Sequence, residues 1–240
     1  MRLNKYLSRT GFASRRKCDK LIESGKVIIN GNIMYNYSYQ VQPDDVVICD
    51  GFQINEIPKS IVYLVNKLKG YISTSSDPKG RKKVIDLVKS NIRLFTVGRL
   101  DRDTTGAILI TNDGHLANNL MHPKNQVEKV YIVATKIDIL TSKYTKLSKG
   151  LKLNSKTIAY GKIQRLGKKG GLIHWKIILC EGKNHEVKRI FKIFGANVIH
   201  LHRESFAGFT VDNILPGKYR QLNKNEINSL YQLYDLNEEC

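Results

Sequence analysis

Val97-Gly98-Arg99-Leu100-Asp101-Arg102-Asp103-Thr104-Thr105-Gly106-Ala107-Ile108-Leu109-Ile110-Thr111-Asn112-Asp113-Gly114 is the stretch on which the reading of this chain turns. An apolar run, residues 94–97, leads into it and predicts a strand. A tight polar turn follows. A second apolar run, 107–110, then returns, and Asn112-Asp113-Gly114 closes the unit with a strong turn signal. This path lifts Asp101 to the lip of a rigid sheet, with Arg99 two residues before it. A carboxylate held that way can do chemistry. Gly106 is expected to supply a φ that a side chain would forbid.

Outward from there, strand-like runs cover residues 61–65, 94–97, 107–110, 129–134, 175–179, 196–200 and 209–211. Helical periodicity covers 84–89, 115–120, 140–149, 185–194 and 225–233. Strands outnumber helices and the connections are hairpin-like. These features predict an α+β fold: a mixed, largely antiparallel sheet with helices packed on it, over residues 61–240. Residues 1–50 read as a separate small domain of two helices followed by short strands, with Ser14 as N-cap of the second helix and a turn at Asn30-Gly31. Residues 51–60, which contain Pro58, read as a linker.

The 240 residues hold 40 Lys and Arg against 21 Asp and Glu, a formal net charge of +19. Such an excess points to a polyanion, nucleic acid foremost. A lysine-rich composition also solvates a surface, so charge names a partner class and no reaction. Arg2, Lys5, Arg9, Arg15, Arg16, Lys17, Lys20 and Lys26 face only Asp19 and Glu23 across residues 1–31. Those opening the second helix add to the positive end of its dipole, which suits phosphate; a solvated helix face is the alternative. The four cysteines stand singly without zinc-ligand spacing, and no apolar run is long enough to span a bilayer. The N-terminus lacks the apolar stretch of a secretory signal. Together these predict a cytoplasmic protein with reduced thiols.

Arg2-Leu3-Asn4-Lys5-Tyr6-Leu7, then the run from Ala13-Ser14-Arg15-Arg16-Lys17 to Leu21-Ile22, then Gly25-Lys26-Val27-Ile28-Ile29-Asn30-Gly31, resembles the S4 RNA-binding domain. That resemblance implies structured RNA, not DNA. The opening segment in turn resembles motif I of the pseudouridine synthases, in the S4-carrying branch that modifies bacterial ribosomal RNA. The residues that carry it are Gly98-Arg99-Leu100-Asp101, Thr104-Thr105-Gly106, Leu109, Thr111 and Asn112-Asp113-Gly114. Further blocks follow in order: Leu116-Ala117-Asn118 to His122-Pro123, Glu128-Lys129-Val130-Tyr131, the run from Glu181-Gly182-Lys183-Asn184-His185-Glu186 to Phe191, Leu201-His202-Arg203, and the run from Leu215-Pro216-Gly217 to Leu222. Two departures stand out: Ala107 where a leucine is usual, and His185-Glu186 where Arg-Gln or His-Gln is more common.

The resemblance implies that Asp101 is the nucleophile. Tyr131, which by itself reads as a strand tyrosine in a core, would stack on the uracil and take the C5 proton. Lys188 would be the cation beside Asp101, with Arg189 the adjacent alternative about 100° around the helix. Arg99 would help hold the target uridine out of its stack; an ion pair with Asp103 is its other reading. RNA contacts are expected from Arg2, Lys5, Arg15, Arg16, Lys17, Lys20, Lys183, Asn184, Arg189 and Arg203. Asp101-Arg102-Asp103 is also a D-x-D, which elsewhere holds a metal and a sugar nucleotide; no further acidic or histidine cluster supports that here. Asp113 reads as a turn residue. The resemblance implies no metal or cofactor, a ribosomal RNA or pre-ribosomal particle as partner, and no membrane or DNA. A monomer is expected, with large-subunit (23S-type) rRNA favoured over 16S. The competing class is a non-catalytic RNA-binding or ribosome-assembly factor.

Overall fold

The computed structural model describes residues 1–54 and 56–233. The end of the 61–240 assignment, with Cys240, lies outside the described residues.

The small domain builds its core from period-3.6 and period-2 patterns together. Helices α1 (Leu3–Arg9) and α2 (Arg15–Glu23) turn Leu3, Leu7, Cys18 and Ile22 onto strands β1 (Val27–Ile29), β2 (Asn32–Ile33), β3 (Val47–Cys49) and β4 (Phe52–Ile54). Ser14 caps α2, its hydroxyl accepting the Lys17 N–H at 3.3 Å. The expectation of a linker over 51–60 needs correction. Asp50 and Gly51 both take positive φ, 47° and 83°, the backbone of a two-residue hairpin turn. They return the chain as β4, paired with β3 from Cys49↔Phe52 to Val47↔Ile54. The sheet of the small domain therefore ends inside the stretch read as linker. Cys18, Cys49 and Cys180 are free thiols, and burial pushes Cys18 and Cys49 up to about 11.

The larger domain is one nine-stranded sheet. Its strands are β5 (Val62–Lys67), β6 (Phe95–Val97), β7 (Thr105–Thr111), β8 (Lys129–Thr135), β11 (Lys162–Lys169), β12 (Leu172–Leu179), β13 (Val198–Phe206), β14 (Phe209–Thr210) and β15 (Tyr219–Gln221). A separate hairpin, β9 (Leu151–Asn154) with β10 (Thr157–Ala159), follows helix α4 (Tyr144–Lys149). The strand order is β11-β12-β8-β13-β7-β5-β15, with β6 on β7 and β14 on β13. Every pair is antiparallel except β13 with β7. The fold is α+β with a mixed, largely antiparallel sheet.

Both faces of the sheet are covered, which explains why its central strands read as continuous apolar runs. Tyr63, Val65, Ile108 and Ile110 point to one face, under Val187, Ile190 and Phe191 of α5 (Glu186–Ile193). Val62, Leu64, Ala107 and Leu109 point to the other, under Leu116, Ala117 and Leu120 of α3 (Gly114–Met121) and Leu230 of α6 (Lys224–Leu233). Each fully buried leucine or isoleucine here contributes roughly 1.5–3 kcal/mol. Asp113 is more than a turn residue. It is the N-cap of α3, its Oδ1 accepting from the N–H groups of His115 (2.9 Å) and Leu116 (3.1 Å).

Candidate active site

The β6–β7 hairpin forms as its apolar runs demand, with Val97 opposite Leu109 and Phe95 opposite Thr111. Its connection, residues 98–104, is tied down at nearly every step. Lys67 ends β5 fully buried, and its ammonium donates to the carbonyls of Thr104 (2.6 Å), Leu68 (3.1 Å) and Arg102 (3.5 Å). Burial pulls this lysine down to about 8. Ser73 Oγ donates to the Leu100 carbonyl at 3.0 Å and accepts its N–H at 3.1 Å. The Gly98 N–H donates to Met121 Sδ at 2.9 Å. Gly106 has a φ of +103°, and a Cβ there would meet the Arg203 carbonyl oxygen at 2.2 Å, so glycine is required on both counts.

This frame holds Asp101 at the side of a cavity of about 760 Å³. Asp101 Oδ2 lies 2.9 Å from His185 Nδ1 and 3.1 Å from Lys188 Nζ. His185 sits at a φ of 48°, just before α5, so its ring and the Lys188 side chain three residues on reach the same carboxylate. Lys188 Nζ also donates to both oxygens of Asp103 at 3.0 Å. Desolvation works against the Lys188 charge, but its bonds to Asp103 and Asp101 outweigh that and hold its pKa above the ordinary value. Asp103 is likewise desolvated, yet Lys188 holds it below the usual carboxylate range. The D-x-D carboxylates thus converge on an ammonium, and Asp103 pairs with Lys188, not with Arg99. Arg99 is exposed on the cavity wall.

Tyr131, 8% exposed on β8, lines the same cavity. Arg203 lines the cavity too. It is not the exposed cation expected: the residue is 2% exposed, its Nε donates to the Ala107 carbonyl at 2.6 Å, and its guanidinium stacks 4.7 Å from the Phe206 ring and 6.0 Å from that of Tyr131. Its Nη2 has no partner among the described residues. Lys129 is also buried beside this cluster, donating to the Val127 and Cys180 carbonyls; burial, then the Arg203 charge, brings it down to about 8.

The other sequence-predicted residues are scattered. Lys183 and Asn184 line the cavity, but Lys183 is engaged by Glu181 and the Ile158 carbonyl. Arg189 is half-buried and does not reach Asp101; Lys188 does. Arg16, Lys17 and Lys20 are exposed on α2, away from the cavity. Arg2, Lys5 and Arg15 line a second cavity, between the two domains. Sequence reasoning missed Lys67 and Ser73, and took His185 only as a departure from a pattern. An apolar run ending in lysine looks like an ordinary strand end, and no sequence signal reports the φ that aims His185.

No helix of the structure is long and apolar enough to cross a membrane, among the described residues. A basic small domain ahead of a sheet domain with a carboxylate in a cleft fits an enzyme that acts on a polyanion, and comparison with known proteins specifies which. Residues 1–47 match the S4 domain and residues 61–192 match the RNA pseudouridylate synthases. The chain belongs to the RNA pseudouridylate synthase family, and carries the S4 domain at its N-terminus. It is similar to the ribosomal large subunit pseudouridine synthase B of Bacillus subtilis (strain 168), 37% identical over 238 residues, which is 98% of this chain and 97% of that protein. An uncharacterized RNA pseudouridine synthase of Aquifex aeolicus (strain VF5) is 38% identical over 242 residues, 99% of each chain. Among solved structures, one described as a pseudouridylate synthase superposes with a TM-score of 0.69 at 27% identity, covering 96% of this chain and 99% of that one.

Proposed function

We propose that this chain isomerises one specific uridine of large-subunit ribosomal RNA to pseudouridine, acting as a monomer in the cytoplasm on rRNA or a pre-ribosomal particle. The observation that carries the reading is the Asp101 carboxylate, held 3.1 Å from Lys188 Nζ in the cavity that Tyr131 lines. The choice of rRNA rests on the Bacillus subtilis relative, whose name assigns it to the large subunit.

The reaction breaks the N1–C1′ bond of uridine, turns the base, and forms a C5–C1′ bond; the C5 proton leaves and N1 gains one. Asp101 is the group that acts at the sugar. Attack on C1′ and removal of the C2′ proton both call on this carboxylate, and its contacts with His185 and Lys188 hold it in place. Tyr131 presents a ring for the uracil and a hydroxyl for the C5 proton. Arg99, exposed at the cavity wall, is placed to occupy the gap that the extruded nucleotide leaves in its stack. Lys183 and Asn184 line the cavity and would steady the RNA around it, and Arg189, half-buried on α5, would add a contact beyond it. Arg16, Lys17 and Lys20 offer the S4 domain a cationic face for phosphate. Asp101→Asn tests the reading: pseudouridine formation, followed by carbodiimide reactivity of rRNA, is expected to vanish while RNA affinity stays within a few-fold. Retained turnover overturns the role of Asp101. RNA binding by the native chain with no pseudouridine formed favours the non-catalytic assembly factor.

A further inference from the structure

Among the described residues, four buried side-chain atoms lack a hydrogen-bond partner, and three of them sit on residues that line the catalytic cavity: Thr104 Oγ1, Glu186 Oε1 and Arg203 Nη2. Buried polar groups are ordinarily satisfied, and a bare donor on a charged group is the costliest to leave so. Arg203 is the extreme case. Among the described residues only its Nε is hydrogen-bonded, to the Ala107 carbonyl, and the Phe206 ring 4.7 Å away fixes the plane of the guanidinium. The carboxylates of the cavity are engaged elsewhere. Asp101 is held by His185 and Lys188, Glu186 accepts the Lys183 N–H, and neither pairs with Arg203. Lys129, which also lines the cavity, lies 5.5 Å from the centre of the same Phe206 ring. Two buried cations on one ring, neither ion-paired among the described residues, make a site preorganised for negative charge.

We infer that Arg203 is a catalytic residue for the departing base: a terminal guanidinium N–H donates to a ring carbonyl oxygen of the uracil that stacks on Tyr131, and the fixed charge meets the electrons which that base carries off. The inference rests on the reading that a uridine enters the Asp101 cavity, and it supplies a group for the other half of the bond that breaks. When N1–C1′ breaks, its electron pair leaves with the base and spreads from N1 onto O2 and O4. Asp101 acts on the sugar side only. The anion then bonds to C1′ through C5, the C5 proton goes to Tyr131, and N1 gains a proton. Arg203 keeps its own protons throughout, as a guanidinium does. A neutral uracil carbonyl is a modest acceptor and the oxygen of a uracil anion is a strong one. The bond therefore strengthens as the transition state is reached, and it lowers the barrier without tightening the binding of RNA.

The test measures single-turnover rates of the full chain on an rRNA fragment whose target has been located by carbodiimide reactivity, with uridine or 5-fluorouridine at that position. Fluorine at C5 withdraws electrons and stabilises the departing anion by itself. It also cannot leave as a proton, so the reaction stops once C5–C1′ has formed, and the loss of 5-fluorouridine from a nuclease digest counts the earlier steps alone. Arg203→Met is expected to slow the uridine reaction about 100-fold and the 5-fluorouridine reaction no more than about 10-fold, with RNA affinity within a few-fold of native. Arg203→Lys keeps a charge at shorter reach and decides the matter if the methionine variant does not fold: its loss, about 10-fold on uridine, is expected to shrink on the fluorinated RNA. Equal losses on the two RNAs make Arg203 a support of the fold and overturn the proposal. So do native rates, or weakened RNA binding with the rate at saturation unchanged. In each of these cases an inactive Asp101→Asn leaves the reading of the cavity standing. A native chain that makes no pseudouridine removes that reading, and the role of Arg203 with it.

Discussion

Gly106→Ala is the sharpest test of how the sheet holds the site. A Cβ at this position would lie 2.2 Å from the Arg203 carbonyl oxygen and 2.8 Å from the Arg203 C and N atoms. A carbon and a carbonyl oxygen normally approach no closer than about 3.3 Å, so the two backbones must part by about 1 Å. Gly106 and Arg203 are register partners in the parallel β7–β13 pair, and parting them weakens two hydrogen bonds at about 1 kcal/mol each. Alanine at a φ of +103° adds roughly 1–3 kcal/mol of backbone strain. The sum is about 3–5 kcal/mol, and at roughly 2–4 °C per kcal/mol for a domain of this size it lowers Tm by about 10 °C. The control is Gly208→Ala, whose φ is +82° but whose Cβ would enter open space. It carries the strain without the clash and should lose only a few degrees. The assay is thermal unfolding by circular dichroism, repeated in urea. Gly106→Ala melting within about 3 °C of the native chain, or no lower than Gly208→Ala, would refute the close approach as the reason for glycine.

Four further expectations concern Lys67, Lys188 and Asp113. Lys67→Met removes the donor to three loop carbonyls and should cut turnover by at least about 10-fold, since hydrogen bonds to a charged group contribute about 1.5–3 kcal/mol. With its pKa lowered to about 8, Lys67 is protonated below that pH and loses its charge above it, so native turnover should fall on the alkaline side of about 8. Lys67→Arg should flatten that limb, and a limb that persists assigns it to another group. Lys188→Met should lower turnover about 10–150-fold by removing one charge-assisted bond from Asp101, whereas Arg189→Met should stay within a few-fold; equal losses would refute the distinction. Asp113 is desolvated, which alone raises its pKa, but Tyr231 and the N–H groups of Leu116 and His115 outweigh that and hold it below the ordinary value. A carboxyl whose folded-state pKa is depressed contributes stability above its unfolded value, near 3.8, and loses it as pH falls through the folded value. Asp113→Asn, which keeps a capping oxygen, should therefore be less stable at pH 7 and lose less on acidification below about pH 4, measured by urea midpoint against pH.

The elements that were legible before the structure are those whose side chains face a core. Both apolar runs of the β6–β7 hairpin, the Ser14 cap and the amphipathic α5 carry periodicities that the fold uses directly. β11 was invisible because Lys162–Lys169 is a largely exposed edge strand with almost no apolar side, and charge there protects an edge from unwanted pairing. β4 escaped because Pro58, downstream, coloured the whole stretch as linker, although Asp50-Gly51 carried the hairpin signal. In the site, Asp101 was legible from its position on a turn between strands. The burial of Arg203 was not legible, because charge is ordinarily exposed; only the fold shows that the Ala107 carbonyl and two aromatic rings take up its guanidinium. Lys67 and His185 depend on where a strand ends against a loop and on one positive φ, neither of which a local pattern encodes.

β13 sits between β8 and β7 in the sheet, and among the described residues it is the only strand joining them. Without it the sheet falls into two ribbons: β11, β12 and β8 on one side, β7, β5, β6 and β15 on the other. Asp101 belongs to the second ribbon and Tyr131 to the first. The cavity therefore has no existence until residues 198–206 are inserted between strands made long before them. Pairings of such sequence separation close slowly, and a chain emerging from its N-terminus has most of its sequence exposed before this strand arrives. Until then the strand that carries Tyr131 and the loop that carries Asp101 have no continuous sheet between them.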